Sequence, residues 1–213
     1  MADHADRTLS GEYTGNQITV DEMLAIVDPI PGWMSHGELT WLFQAAAHRR
    51  MIVEIGTWFG RSAKAMALGT PGVIFCVDHW LGAQSEMGAY AAELQRHGPD
   101  GIQSQCVKFL QPQVDQKKII LLNLNIRERF TSGILYSLFE TTQPDMIFID
   151  GEHTTEAVCA DIKLARGIAA PRALICGHDY NRPEVQVAVK SQFDESITPI
   201  RQGPDRIWSV ELP

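Results

Sequence analysis

The sequence predicts an α/β protein: a seven-stranded, mostly parallel sheet with helices on both faces and a C-terminal antiparallel hairpin. Three observations carry that prediction. Short apolar runs recur at MIVEIG (51–56), VIFCVD (73–78), KIILLN (118–123), DMIFID (145–150) and ALICGHD (173–179). They are nearly continuous in apolar residues, as parallel strands covered on both faces must be. Helical segments alternate with them, which makes βαβ units with right-handed crossovers. The repeat then stops, and ITPIR (197–201) and RIWSVEL (206–212), joined by QGPD, read as a closing hairpin.

Taken in order, residues 1–19 are polar and acidic and read as a flexible tail. Residues 20–50 read as an N-terminal helical lid. Its first helix, over 20–27, stops at the prolines of DPIPG. Its second, over 38–49, carries Leu39, Leu42, Phe43 and Ala46 on one face, with Ser35 as cap and Glu38 three positions later. Residues 51–213 form the main domain. Its helices are expected over 61–68, 86–110, 127–139, 155–166 and 184–193. The segment 80–111 is longer than a plain crossover requires, and ligand selectivity commonly resides in such insertions.

Composition narrows the function classes. At 213 residues the chain suits one well-buried core. Apolar and charged contents of 45% and 21% are those of a globular protein. A formal charge of −8 argues against a dedicated nucleic-acid binder. No apolar run approaches the roughly 18–20 residues of a membrane span, and the N-terminus lacks a signal-peptide pattern. The four cysteines show no CxxC spacing, so a reduced cytoplasmic setting is expected.

Open α/β sheets bind ligands at the carboxyl ends of their strands. Here those ends carry Glu54 and Gly56, Asp78, Asn123 and Asn125, Asp150, and His178 with Asp179. In IVEIGTWFGRSAKAMA, Gly56 lets the backbone approach a ligand and Gly60 starts the following helix tightly. Thr57 and Ser62 lie in the same turn. Asp78, about twenty residues on, suits a ribose diol. The spacing is not G-x-G-x-x-G, and Glu54 would repel pyrophosphate in that turn. A cationic ligand with a ribose and no phosphate is favoured, which describes S-adenosylmethionine.

On these residues the chain resembles the class I S-adenosylmethionine-dependent methyltransferases, a Rossmann-like family, over roughly residues 51–213. EIGTWFGRS looks like their first motif, VDHW like their second-strand acidic motif, and the terminal hairpin like their closing strands. His79 and Trp80 are then candidates to flank the adenine, and Asn125 and Ile126 to meet its edge.

FIDGEHTTEAVCADI (148–162) resembles a subgroup related to antibiotic and sugar O-methyltransferases and cephalosporin-hydroxylase-like proteins. In that subgroup an aspartate after the fourth strand and an acidic pair after the fifth bind a divalent cation. The resemblance therefore implies Asp150, His178 and Asp179 as metal ligands, with Asp150 also beside the cofactor. A metal-bound hydroxyl becomes more acidic, and His153 is placed to take its proton as general base. Where the subgroup often has two acids, this chain has His178-Asp179. Imidazole disfavours magnesium and suits transition metals, so magnesium, another divalent cation and no metal stay open.

The reading that results is O-methylation of a small-molecule hydroxyl. Its alternatives are metal-free methylation of nitrogen or carbon, and a non-catalytic binding subunit. The acidic balance disfavours an RNA substrate, and the turn disfavours a dehydrogenase. Asp161 and Glu156 read as solvated helix residues and Arg61 as a surface residue. Tyr180 reads equally as acceptor-lining or edge-covering. The N-terminal helices and the terminal hairpin are candidate subunit contacts for a homo-oligomer.

Overall fold

The computed structural model describes residues 18–83, 85, 87–128 and 130–213. Most of the expected tail therefore lies outside the described residues. Its last position, Thr19, is already structural. It caps α1 (Val20–Val27) in a capping box with Glu22, as Ser35 does with Glu38 for α2 (His36–Ala46).

After β1 (Met51–Ile55), α3 (Arg61–Gly69) leads to β2 (Val73–Asp78). The long insertion holds α4 (Met87–His97) and α5 (Pro99–Asp115), separated at Gly98, whose φ of +69° breaks the helix. Then come β3 (Ile119–Asn123), α6 (Thr131–Leu138), β4 (Met146–Ile149), α7 (Thr155–Ile168), β5 (Leu174–Gly177), α8 (Pro183–Gln192), β6 (Arg201–Gln202) and β7 (Trp208–Glu211).

Among the described residues these strands form one seven-stranded sheet in the order β3-β2-β1-β4-β5-β7-β6. Neighbours from β3 to β5 pair in parallel, and β7 pairs antiparallel with both β5 and β6. The expected α/β class and mostly parallel, Rossmann-like sheet are present. The hairpin is shorter than expected, since 197–200 stays outside the ladder and only Arg201 and Gln202 pair with β7. The helix expected over 127–139 begins only at Thr131, because an Asx turn intervenes, with Arg127 N–H donating to Asn125 Oδ1.

Alternation along the strands sends side chains to two cores. Ile52, Ile74, Cys76 and Phe148 join α1, α2, α3 and α5 on one face, while Val53, Ile55, Val77, Ile147 and Ile149 join α6, α7 and α8 on the other. Residues 20–50, expected as a helical lid, pack on the sheet. Met23, Val27, Leu39, Leu42 and Ala46 are fully buried in the first core, and only the loop at 31–34 reaches the rim of the site. No helix among the described residues is long and apolar enough to cross a membrane. Cys76, Cys106, Cys159 and Cys176 are free thiols.

The sheet order reverses between β1 and β4, since β2 and β3 extend one way and β4 and β5 the other. The crevice at that switch point is where ligands bind in such sheets. Gly56 and Asp150 end the two strands that flank it.

Candidate active site

The turn after β1 is held by backbone bonds to one carboxylate. Asp78 Oδ2 accepts from the N–H groups of Thr57 and Trp58, both at 2.7 Å, and Oδ1 accepts from Trp80 N–H at 2.7 Å. Trp80 Nε1 donates to the Trp58 carbonyl at 2.8 Å, closing the link between the two turns. A carboxylate has about four acceptor positions. These three N–H groups take up three of them.

Six non-glycine residues among those described adopt left-handed backbone, and three of them follow the carboxyl ends of strands: Trp58 (φ +52°), Trp80 (φ +55°) and Asp179 (φ +57°). Each such residue costs about 1–3 kcal/mol, and such strain clusters at functional sites.

The glycines have reasons the sequence did not show. Gly56 has φ +87°, and a Cβ there would stand 2.1 Å from the Asp150 carbonyl oxygen. It is glycine because β4's end crosses over it. Gly60 has φ +88°, and a Cβ would meet Leu110 at 2.7 Å, so it serves the packing of α3 on α5 and takes no place on a cavity wall.

A cavity of about 740 Å³ opens beside this turn, well within the range of cofactor sites. Of the predicted cofactor residues, Gly56, Asp78, His79, Asn125, Ile126 and Asp150 line it. Thr57 and Ser62 line a second cavity instead. Trp80 is fully buried in the first core, so it cannot flank an adenine.

Glu54 is also fully buried. Its Oε1 accepts from Ser62 Oγ at 2.5 Å. Burial pushes its carboxyl up to about 7, against the opposing bond from Ser62. It lies beneath the turn and not in it, so the charge-repulsion argument against pyrophosphate loses its basis; only the glycine spacing remains.

The second cavity, about 220 Å³, adjoins the first and shares Gly56, Trp58, Tyr90 and Asp150 with it. One wall is ionic. His153 Nε2 lies 3.0 Å from Asp179 Oδ2, and His178 Nδ1 lies 3.1 Å from Asp179 and 3.3 Å from Asp150. The other nitrogen of His178, Nε2, lies 3.0 Å from Glu38 Oε1. Burial disfavours charge on His178, but the surrounding Asp150, Asp179 and Glu38 carboxylates outweigh it and push the imidazole up to about 12.

Glu38 shows the reverse balance. Burial raises its carboxyl, and bonds from His178, Ser35 N–H and Arg206 bring it down to about 2. Burial likewise opposes ionisation of Asp179, yet His153 and His178 hold it far below the usual carboxylate range. For His153, burial opposes protonation, and Asp179 and Asp150 together leave its pKa raised.

The expected metal set, Asp150, His178 and Asp179, overlaps at two positions with the group that the distances pick out. Asp150, His153 and Asp179 offer ligand atoms all within 4.8 Å of one another. His178 lies outside this group, with its two nitrogens facing Asp150 and Asp179 on one side and Glu38 on the other.

The sequence reading missed Glu38 as a site residue, seeing only its role as a cap. It also missed Arg206, which donates to both Glu38 oxygens (3.1–3.2 Å) and to the Trp33 carbonyl (2.6 Å). Arg61 is not a plain surface residue, because it ties Asp28 and the Gly32 carbonyl to α3. Asp161 is fully buried and pairs with Arg127 at 2.5 Å. Tyr180 belongs to the second core and lines neither cavity.

Comparison with known proteins agrees with this geometry. A family described as Methyltransferase domain matches residues 53–180, more than half of the chain. An uncharacterized protein of Sinorhizobium fredii, y4gI, is 30% identical over 158 residues, covering 71% of this chain and 15% of its own length. The chain thus spans only a small part of that relative.

Among solved structures, an O-methyltransferase from Bacillus cereus in complex with SAH superposes with a TM-score of 0.56 at 16% identity, covering 91% of this chain and 90% of its own. The SAH-bound Podospora anserina methyltransferase PaMTH1 gives 0.61 at 11% identity, covering 91% and 87%. MycE of the mycinamycin biosynthetic pathway, in complex with Mg, SAH and mycinamycin VI, gives 0.60 at 13% identity, covering 92% and 55%. At these identities the likeness is one of fold.

Proposed function

The chain belongs to the methyltransferase-domain family, and on that premise we propose that it is an S-adenosylmethionine-dependent O-methyltransferase of a small-molecule hydroxyl. The observation that carries this reading is the His153–Asp179 pair at 3.0 Å, facing the smaller cavity where it adjoins the larger one. The larger cavity suits the cofactor, with the ribose at Asp78 and the adenine between His79 and the Asn125–Ile126 turn. Bound there, S-adenosylmethionine supplies an electrophilic methyl group. The SAH complexes of the fold relatives support the same cofactor.

The protein's own groups supply the rest. His153 accepts the proton of the acceptor hydroxyl, and Asp179 orients the ring and stabilises the imidazolium that results. The Glu38–His178 pair fixes Asp179 and Asp150 from behind. The walls of the two cavities hold acceptor and methyl donor in line and keep water out.

A second reading rests on the Asp150, His153 and Asp179 cluster. Two carboxylate oxygens and one imidazole nitrogen fit a divalent ion of the transition series better than magnesium. Such an ion would acidify the acceptor hydroxyl, and His153 would then be a ligand instead of the base.

Calorimetry with SAH tests the cofactor. Micromolar binding is expected, and a folded protein without affinity overturns the reading. Methyl transfer measured after chelation, with manganese or magnesium added back, separates the two hydroxyl-activating schemes. Unchanged turnover favours the base, and restoration by metal favours the ligand set.

A further inference from the structure

The smaller cavity is also lined by residues that the chemistry above does not use. They are Trp33 from the loop before α2, Trp58 from the glycine turn and Tyr90 from α4. Their rings form one cluster. Trp33 and Trp58 stack at 6.2 Å, and Tyr90 meets both edge-on, at 5.4 Å and 4.8 Å. Trp33 keeps 55% of its surface exposed. Pro31 and Met34 line the same cavity.

Trp58 holds an indole at a left-handed position, φ +52°, where glycine would be free of strain. Its backbone is bound in place by Asp78 and by the Trp80 indole. This indole packs on the edge of the first core, against Phe59 at 5.2 Å, and also lines both cavities.

From this ring cluster, lining the same cavity as the His153–Asp179 pair, we propose that the acceptor is a single-ring aromatic hydroxyl compound, its ring against Trp33, Trp58 and Tyr90 and its hydroxyl towards His153. The proposal rests on the O-methyltransferase reading and narrows it. Aromatic faces reward a flat π-surface.

The volume gives a size limit. A cavity of about 150 Å³ holds benzene, and about 220 Å³ leaves room for one ring with small substituents. In the reaction the hydroxyl proton passes to the His153 imidazole and the oxygen forms its bond to the methyl carbon. The carbon–sulfur bond breaks with its pair left on sulfur, giving an aryl methyl ether and SAH. His153 then returns the proton to solvent.

The test uses the full chain, radiolabelled S-adenosylmethionine, and catechol and 4-hydroxybenzoate against cyclohexane-1,2-diol and methyl glucoside. Catechol or 4-hydroxybenzoate is expected to be methylated with kcat/KM about a hundredfold above the saturated compounds. Trp33→Ala should raise the aromatic KM by about tenfold, leave kcat and SAH affinity within about twofold, and be rescued by Trp33→Phe.

Preference for the diol or glycoside, or an unchanged KM in Trp33→Ala, overturns the proposal. So does SAH binding without transfer to either aromatic compound. Absence of SAH binding by the folded wild-type chain overturns the underlying cofactor reading instead.

Discussion

The rim over β1 and β2 and the rim over β4 and β5 are built by different means. Over β1 and β2 the larger cavity is shaped by backbone. Asp78 ties two consecutive turns through three N–H groups, and Gly56 lets the end of β4 pass above it. Over β4 and β5 the shape comes from charged side chains. Asp150, His153, His178 and Asp179 neutralise one another, backed by Glu38 and Arg206 from distant parts of the chain. The first rim suits a ligand recognised by shape, the second a reaction that moves a proton. A change in one should therefore damage binding, and a change in the other should damage turnover.

The strongest break of that contrast is His153→Ala. Turnover should fall by about 10²–10⁴-fold, with SAH affinity by calorimetry within about twofold. Comparable losses in both would mean the two rims are one unit.

Gly56→Ala comes next. A methyl group 2.1 Å from the Asp150 carbonyl cannot be accommodated without separating the ends of β1 and β4. A loss of about 4 kcal/mol in urea unfolding, or failure to fold, is expected.

Glu54→Gln probes the layer beneath the first rim. Its folded pKa of about 7 exceeds the ordinary 4.5, so the folded chain keeps a proton that the unfolded chain releases. That contribution is complete below about 4.5 and is lost as pH rises through about 7. The wild type should lose about 3 kcal/mol relative to Glu54→Gln between pH 4.5 and 8 in urea titrations. Parallel pH profiles would show that the carboxyl ionises normally.

Asp78→Ala should weaken SAH binding by about tenfold through the lost ribose bond and the loosened turn. The acceptor KM should stay constant. The smallest effect belongs to Asp161→Asn. It loosens Arg127 on the wall of the larger cavity and should raise the KM for S-adenosylmethionine about threefold without changing kcat. An altered kcat would show that the larger cavity also governs the chemistry.

The two rims also differed in how much of them could be read in advance. Asp78, His79, Asn125, Ile126 and Gly56 were legible because each ends or follows a strand whose apolar run announces it, and all five line the larger cavity. Trp80 was misplaced because exposure is not a local property; its backbone follows the rim while its indole turns into the core. Asp161 looked solvated for the same reason, since its partner Arg127 lies on another element. How residues 20–50 sit on the sheet could not be read in advance, because the burial of Met23 and Leu39 depends on strands that come later in the chain.

By itself, the sequence determined the class of fold, the alternation of strands and helices along the chain, and which strand ends carry polar groups. Those features are written in short-range periodicity and in single strand–turn–helix junctions, where neighbours in the chain are neighbours in space. Tertiary structure alone decided that His178 meets Glu38 across 140 positions, and that Arg206 meets Glu38 across 168. It also brought His153 within reach of Asp150 and Asp179, and gathered the rings of Trp33, Trp58 and Tyr90 into one cluster. The physical reason is that charge state and burial depend on everything within a few ångströms, and the sheet brings those groups together from opposite ends of the chain.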